Sequence, residues 1–71
     1  MLNSKINFTK REKDVIDLLK LGYSNSEIAE RLYISQHSIK IYITNLLVKT
    51  NSKNRTNLIY NLAKNGYFKP S

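Results

Sequence analysis

Two tetrads of one pattern constrain this chain most: Thr9-Lys10-Arg11-Glu12 and Ser24-Asn25-Ser26-Glu27. Each is a capping box, in which a hydroxyl accepts the backbone N–H three residues on and a glutamate reaches back to the N–H of the capping residue. Such a box marks where a helix begins, and apolar residues at helical spacing follow both. Val15, Ile16, Leu18 and Leu19 follow the first, with Gly22 placed to end that helix. Phe8, just outside the cap, is positioned to staple onto the first turn. Ile28, Ala29 and Leu32 follow the second box, and Glu27 and Arg31 stand four apart for a surface ion pair. Ser35 supplies a third cap after only Tyr33 and Ile34, and a last helix, behind a polar connector over residues 51–55, ends at Gly66. The predicted helices cover about 10–21, 25–32, 36–50 and 56–65. A lead over residues 1–7 precedes a domain at 8–68, and residues 69–71, with Pro70, form a tail. No strand alternation competes with this pattern, so the expected class is all-α with four helices.

Charge divides the same chain in two. Its 71 residues hold twelve Lys and Arg against five Asp and Glu, a formal net charge of +7. Through residue 30 five bases and five acids cancel, whereas residues 31–71 hold seven bases and no acid. A basic half of this kind points to a polyanionic partner. The absence of cysteine excludes disulfides and thiolate metal sites, and a lone histidine cannot form a histidine cluster, so no metal or cofactor is expected. No apolar run approaches a membrane span, and the opening M-L-N-S-K-I-N has no block of signal-peptide length. The expectation is a soluble domain of the cytoplasm, associated with the nucleoid and with no membrane partner.

Two helices joined by a turn of three or four residues have helix-turn-helix geometry when small and apolar residues brace the crossing. Ala29 is the small residue, and Ile28, Leu32, Ile34 and Ile39 are the braces, with Tyr42 one turn further on. At about 100° per residue the third helix separates into two faces. Ile39, Ile43, Leu46 and Thr50 share one, and His37, Lys40, Ile41, Thr44, Asn45 and Val48 share the other, which holds no carboxylate. In a major groove Lys40 reaches guanine acceptors or phosphate, Ile41 packs on a thymine methyl, and Thr44 and Asn45 hydrogen-bond base edges.

Other chemistry is poorly provided for. His37 with Ser35 or Ser38 lacks an orienting acid and an oxyanion site, so the chain is not expected to be an enzyme, and His37 is assigned to the groove edge. Asp14 and Asp17 follow Lys10 and Lys13 by four residues, which suits surface ion pairs. Five tyrosines are scattered rather than aligned as a stacking platform; Tyr33, in the turn, is the one assigned a phosphate hydrogen bond.

These residues resemble the LuxR-type, or GerE-like, DNA-binding domain of bacterial transcriptional regulators. The matching pieces are F-T-K-R-E at 8–12, G-Y-S-N-S-E-I-A at 22–29, L-Y-I-S at 32–35, S-I-K at 38–40, N-L at 45–46, Lys49, and N-R at 54–55. Each alone is weak, but they run in order with unbroken spacing over nearly the whole chain. The resemblance implies a third helix in the major groove of double-stranded DNA, with Lys40, Ile41 and Thr44 facing bases. It implies phosphate contacts from Ser24, Asn25 and Lys49, to which the cap residue Ser35 is added. It also implies a homodimer on an inverted repeat, supported by the last helix. Both faces of that helix are apolar, which favours a partner with Leu58, Ile59, Leu62 and Ala63 as the candidate contacts; a core role for Leu58 and Leu62 is the alternative. The chain departs from the family at Tyr42, where histidine is usual, and at Thr50 and Ser52, where apolar residues are usual; the latter two are expected to weaken packing between the third and fourth helices. Leu58 and Leu62 stand where small alanines are common. Region 4 of sigma factors shares the E-I-A and I-S-x-x-S-I-K spacing, but the capped helix after Asn54 favours the LuxR type. Met1 and the short polar lead favour a free-standing regulator over the excised carboxy-terminal domain of a response regulator. The alternative from another class is an interaction module that engages RNA polymerase or another regulator and touches DNA weakly. A membrane-active basic peptide is disfavoured by the capped, globular pattern.

Overall fold

Thr9 and Ser24 act as caps in the computed structural model, which describes residues 6–67. The Thr9 hydroxyl accepts from the Glu12 N–H at 3.1 Å while Glu12 Oε1 accepts from the Thr9 N–H at 2.8 Å. Ser24 and Glu27 repeat the exchange at 3.2 and 2.9 Å. Four helices result: α1 (Lys10–Lys20), α2 (Asn25–Leu32), α3 (Gln36–Lys49) and α4 (Arg55–Lys64). α4 begins one residue earlier than the spacing predicts, because Asn54 is its cap and accepts from the Asn57 N–H at 2.8 Å. Pro70 and the tail, together with most of the lead, lie outside the described residues.

All four helices end in the same Schellman arrangement. A residue in the left-handed region follows the helix, its N–H and that of its successor returning to carbonyls of the last turn. The left-handed residues are Gly22, Tyr33, Asn51 and Gly66. The successors Tyr23, Ile34, Ser52 and Tyr67 donate to Leu18, Ala29, Leu47 and Leu62 at 3.3, 3.0, 2.9 and 3.0 Å. Glycine takes this conformation freely, but a tyrosine there costs about 1 kcal/mol or more. Tyr33 adopts φ 58° at the start of the three-residue connection between α2 and α3.

α3 is the centre of the fold and packs on each of the other helices, most extensively on α2. Val15, Ile28, Ile39, Leu46, Leu58 and Leu62 lose all solvent contact in one core, and Ala29 is buried at the α2–α3 crossing. Ile39, Ile43, Leu46 and Thr50 do form the inner face of α3. Phe8 packs on the core and meets the Tyr67 ring edge-on at 5.1 Å, joining the two ends of the described chain.

Thr50 and Ser52 do not loosen the α3–α4 junction, contrary to the expectation from their polarity. Thr50 Oγ1 donates to the Leu46 carbonyl at 2.8 Å, Ser52 Oγ lies 2.6 Å from Thr50 Oγ1, and Asn61 Nδ2 of α4 donates to Ser52 Oγ at 2.9 Å. With the Thr50 proton committed to Leu46, Ser52 donates to Thr50, and the three side chains form one directional relay. Buried polar groups satisfied in this way join elements rather than destabilise them.

Candidate nucleic-acid interface

The α3 surface opposite the core is built by helical geometry alone. His37, Lys40, Ile41, Thr44, Asn45 and Val48 are all exposed there. Among the described residues none of these side chains is tied up in a hydrogen bond or an ion pair within the fold. No acid from residue 31 onward opposes an approaching polyanion. The five residues expected to face bases therefore share one accessible face.

The candidate phosphate contacts are less uniform. Ser24 is exposed and capped by Glu27, whose carboxyl is held below its ordinary range chiefly by the Ser24 backbone N–H. Ser35 is exposed as well; its Oγ accepts from the Ser38 N–H and donates to Ser38 Oγ, both at 3.0 Å. Tyr33 is 95% exposed at the turn.

Asn25 is half-buried, for a reason that no local spacing shows. Arg55, the first residue of α4, donates through Nη1 to Asn25 Oδ1 and through Nη2 to the Tyr23 carbonyl at 2.6 Å. A guanidinium has only donors, so it fixes the Asn25 amide with its oxygen inward and its NH2 turned away. The signal was present only as an arginine beside a cap; its partners lie 30 and 32 residues away.

Lys49, expected at the phosphates, is exposed and also pairs with the start of α1. Its ammonium lies 2.6 Å from Glu12 Oε1 and 3.2 Å from the Asn7 carbonyl, so its charge is already engaged at the start of α1. Glu12 is buried, which raises its pKa. The Lys49 ammonium, together with the Thr9 N–H and hydroxyl, outweighs that and holds the carboxyl below its ordinary value.

Three further expectations are corrected. Leu58 and Leu62 are wholly buried in the core and cannot touch a partner; only Ile59, half-buried, and Ala63, exposed, remain of that set, with Tyr60 60% exposed between them. Arg31 stacks its guanidinium 4.1 Å over the Tyr23 ring instead of pairing with Glu27. Asp14 pairs with Arg11, at 3.8 Å, rather than with Lys10.

A brace helix, a three-residue turn, an exposed carboxylate-free helix and a further capped helix together define a helix-turn-helix domain of the four-helix kind. The chain belongs to the luxR family of bacterial regulatory proteins, whose family model matches residues 6–62. It is 43% identical over 61 residues to the transcriptional regulatory protein DegU of Brevibacillus brevis, covering 86% of this chain and 26% of that protein. It is 47% identical over 58 residues to the probable transcriptional regulator ycf29 of Pyropia yezoensis, covering 82% and 26%. The CsgBAC operon transcriptional regulatory protein of Escherichia coli K12 is 43% identical over 51 residues, covering 72% and 24%. The chain thus spans about a quarter of the length of these relatives. Among the described residues no helix is long and apolar enough to cross a membrane.

Proposed function

We propose that this domain binds double-stranded DNA sequence-specifically and regulates transcription, with α3 in the major groove and two copies on an inverted repeat. The observation that carries the reading is the outward α3 face: six exposed residues, with a base, hydrogen-bonding groups and aliphatic groups but no carboxylate. Lys40, Ile41, Thr44, Asn45 and His37 meet base edges, and Ser24, Asn25, Tyr33 and Ser35 lie toward the phosphates. The relatives' names as transcriptional regulators support the same reading. The cytoplasm, at the nucleoid, is the site of action, and no catalytic role is assigned.

Selection of bound duplexes from a random pool tests this, because it reports both sequence preference and half-site spacing. On the selected duplex, Lys40→Ala is expected to lower the slope of log affinity against log salt by about one unit and to relax preference at one base position. An unchanged slope together with unchanged preference would remove α3 from the groove.

The dimer contact is assigned to the outer side of α4, through Ile59, Tyr60 and Ala63. Ile59→Glu is expected to abolish cooperative occupancy of a two-half-site duplex in gel shifts while leaving helical content and single-half-site binding intact. Cooperativity equal to that of the unmodified chain would place the contact elsewhere. A second reading, in which α4 docks on RNA polymerase or another regulator, rests on the same exposed Tyr60.

A further inference from the structure

Arg55 opens α4, yet its guanidinium reaches back to the turn that opens α2. Nη1 donates to Asn25 Oδ1 and Nη2 to the Tyr23 carbonyl at 2.6 Å, so one planar fork closes on two acceptors two residues apart. Tyr23 is itself restrained at three points. Its N–H donates to the Leu18 carbonyl at 3.3 Å, its ring lies 4.1 Å under the Arg31 guanidinium, and its carbonyl accepts from Arg55. Among the described residues Asn25 Nδ2 has no acceptor within the fold. The one acid of this turn, Glu27, is turned back onto the Ser24 N–H at 2.9 Å.

We propose, on the basis of the DNA-binding reading above, that Arg55 is the positioning residue of the α2 phosphate contact: by holding Asn25 Oδ1 it presents Asn25 Nδ2 to one backbone phosphate of the duplex. An asparagine amide carries its acceptor and its donors on opposite branches, and its terminal torsion is broad and roughly two-fold, so an unheld side chain offers either branch outward. An outward oxygen repels a phosphate, whereas an outward NH2 donates to it. A guanidinium has donors only, so it takes the oxygen and leaves the NH2 for the phosphate. In a helix-turn-helix the helix before the recognition helix crosses the DNA backbone, and Asn25 is the first residue of that helix here. Because Arg55 belongs to α4, the helix assigned to the dimer contact also sets how α2 meets the backbone.

Methylphosphonate scanning tests this, since it replaces one charged phosphate oxygen at a time with a methyl group. On the duplex recovered from the random pool, one phosphate in each half-site is expected to cost about tenfold in affinity when neutralised, the worth of a hydrogen bond to a charged group. Asn25→Ala is expected to erase that loss. Arg55→Met, which removes every donor of the fork, is expected to erase it at the same phosphate while the losses at other phosphates persist. Combined with Asn25→Ala, it changes that position no further. Arg55→Lys keeps the charge without the fork and carries the same expectation if Arg55→Met fails to fold. A full loss at that phosphate in a folded Arg55 variant, or losses reduced alike at every phosphate, would overturn the inference. If no phosphate responds to Asn25→Ala, the Asn25 contact and this inference fall together while the α3 assignment stands. A chain that selects no duplex overturns the DNA-binding reading as well.

Discussion

Leu58→Ala is expected to destabilise the domain by about 2–5 kcal/mol, against a total for a chain of this size of roughly 4–10 kcal/mol. Leu58 has no solvent contact and belongs to the core cluster, so its loss removes transfer free energy and leaves a cavity. The relay from Asn61 through Ser52 to Thr50 holds α4 against α3. Urea unfolding checks it: the midpoint falls steeply with little change in slope. Ile59→Glu, one residue away but half-exposed, is expected to leave the midpoint within about 1 kcal/mol. Equal stability of Leu58→Ala and the unmodified chain would return Leu58 to the partner-facing side.

Lys49→Ala is expected to cost about 1–3 kcal/mol near neutral pH, the worth of a charge-assisted hydrogen bond whose acceptor is buried, discounted for the partial exposure of the lysine. The pH dependence separates this from lost packing. In the unmodified chain the folded pKa of Glu12 is below its unfolded value, so its contribution is complete above the ordinary carboxylate range and is lost as pH falls through the lowered folded pKa. Without Lys49, burial is opposed only by the Thr9 groups and the Glu12 pKa rises. The stability gained on raising the pH through the carboxylate range is then smaller in the variant. Thermal melts between about pH 3 and 7, with an NMR titration of the Glu12 side chain, distinguish the two; parallel curves would mean that the pair contributes nothing to linkage.

Much of the fold was legible locally. Capping boxes act across three residues and helical faces repeat every 3.6, so Thr9, Ser24 and Ser35 as caps, and Ile39, Ile43 and Leu46 as the inner face of α3, followed from neighbours alone. Two of the four helix ends were equally plain, at Gly22 and Gly66. The other two were less plain: an asparagine takes a left-handed turn more readily than other non-glycine residues, but nothing in a tyrosine announces one. Tyr33 and Asn51 take that conformation where short connections join α2 to α3 and α3 to α4. The outward face of α3 was visible for the same reason as its inner face, being its complement.

The fourth helix shows where that logic stops. Leu58 and Leu62 form one i,i+4 pair and Ile59 and Ala63 another, only about 100° apart, and periodicity cannot say which of two apolar stripes turns inward. Contact with α3 decides it for Leu58 and Leu62. Long-range polar partners are decided in the same way: Lys49 finds Glu12 across 37 residues and Arg55 finds Asn25 across 30. From its sequence alone this protein has four capped helices, a helix-turn-helix crossing and an outward α3 face free of acid, because short-range hydrogen bonds and helical repeat suffice for each. Which stripe of α4 is core, and which of the basic residues remain free to meet a polyanion, depend on distances between residues far apart in the chain, and packing alone sets those.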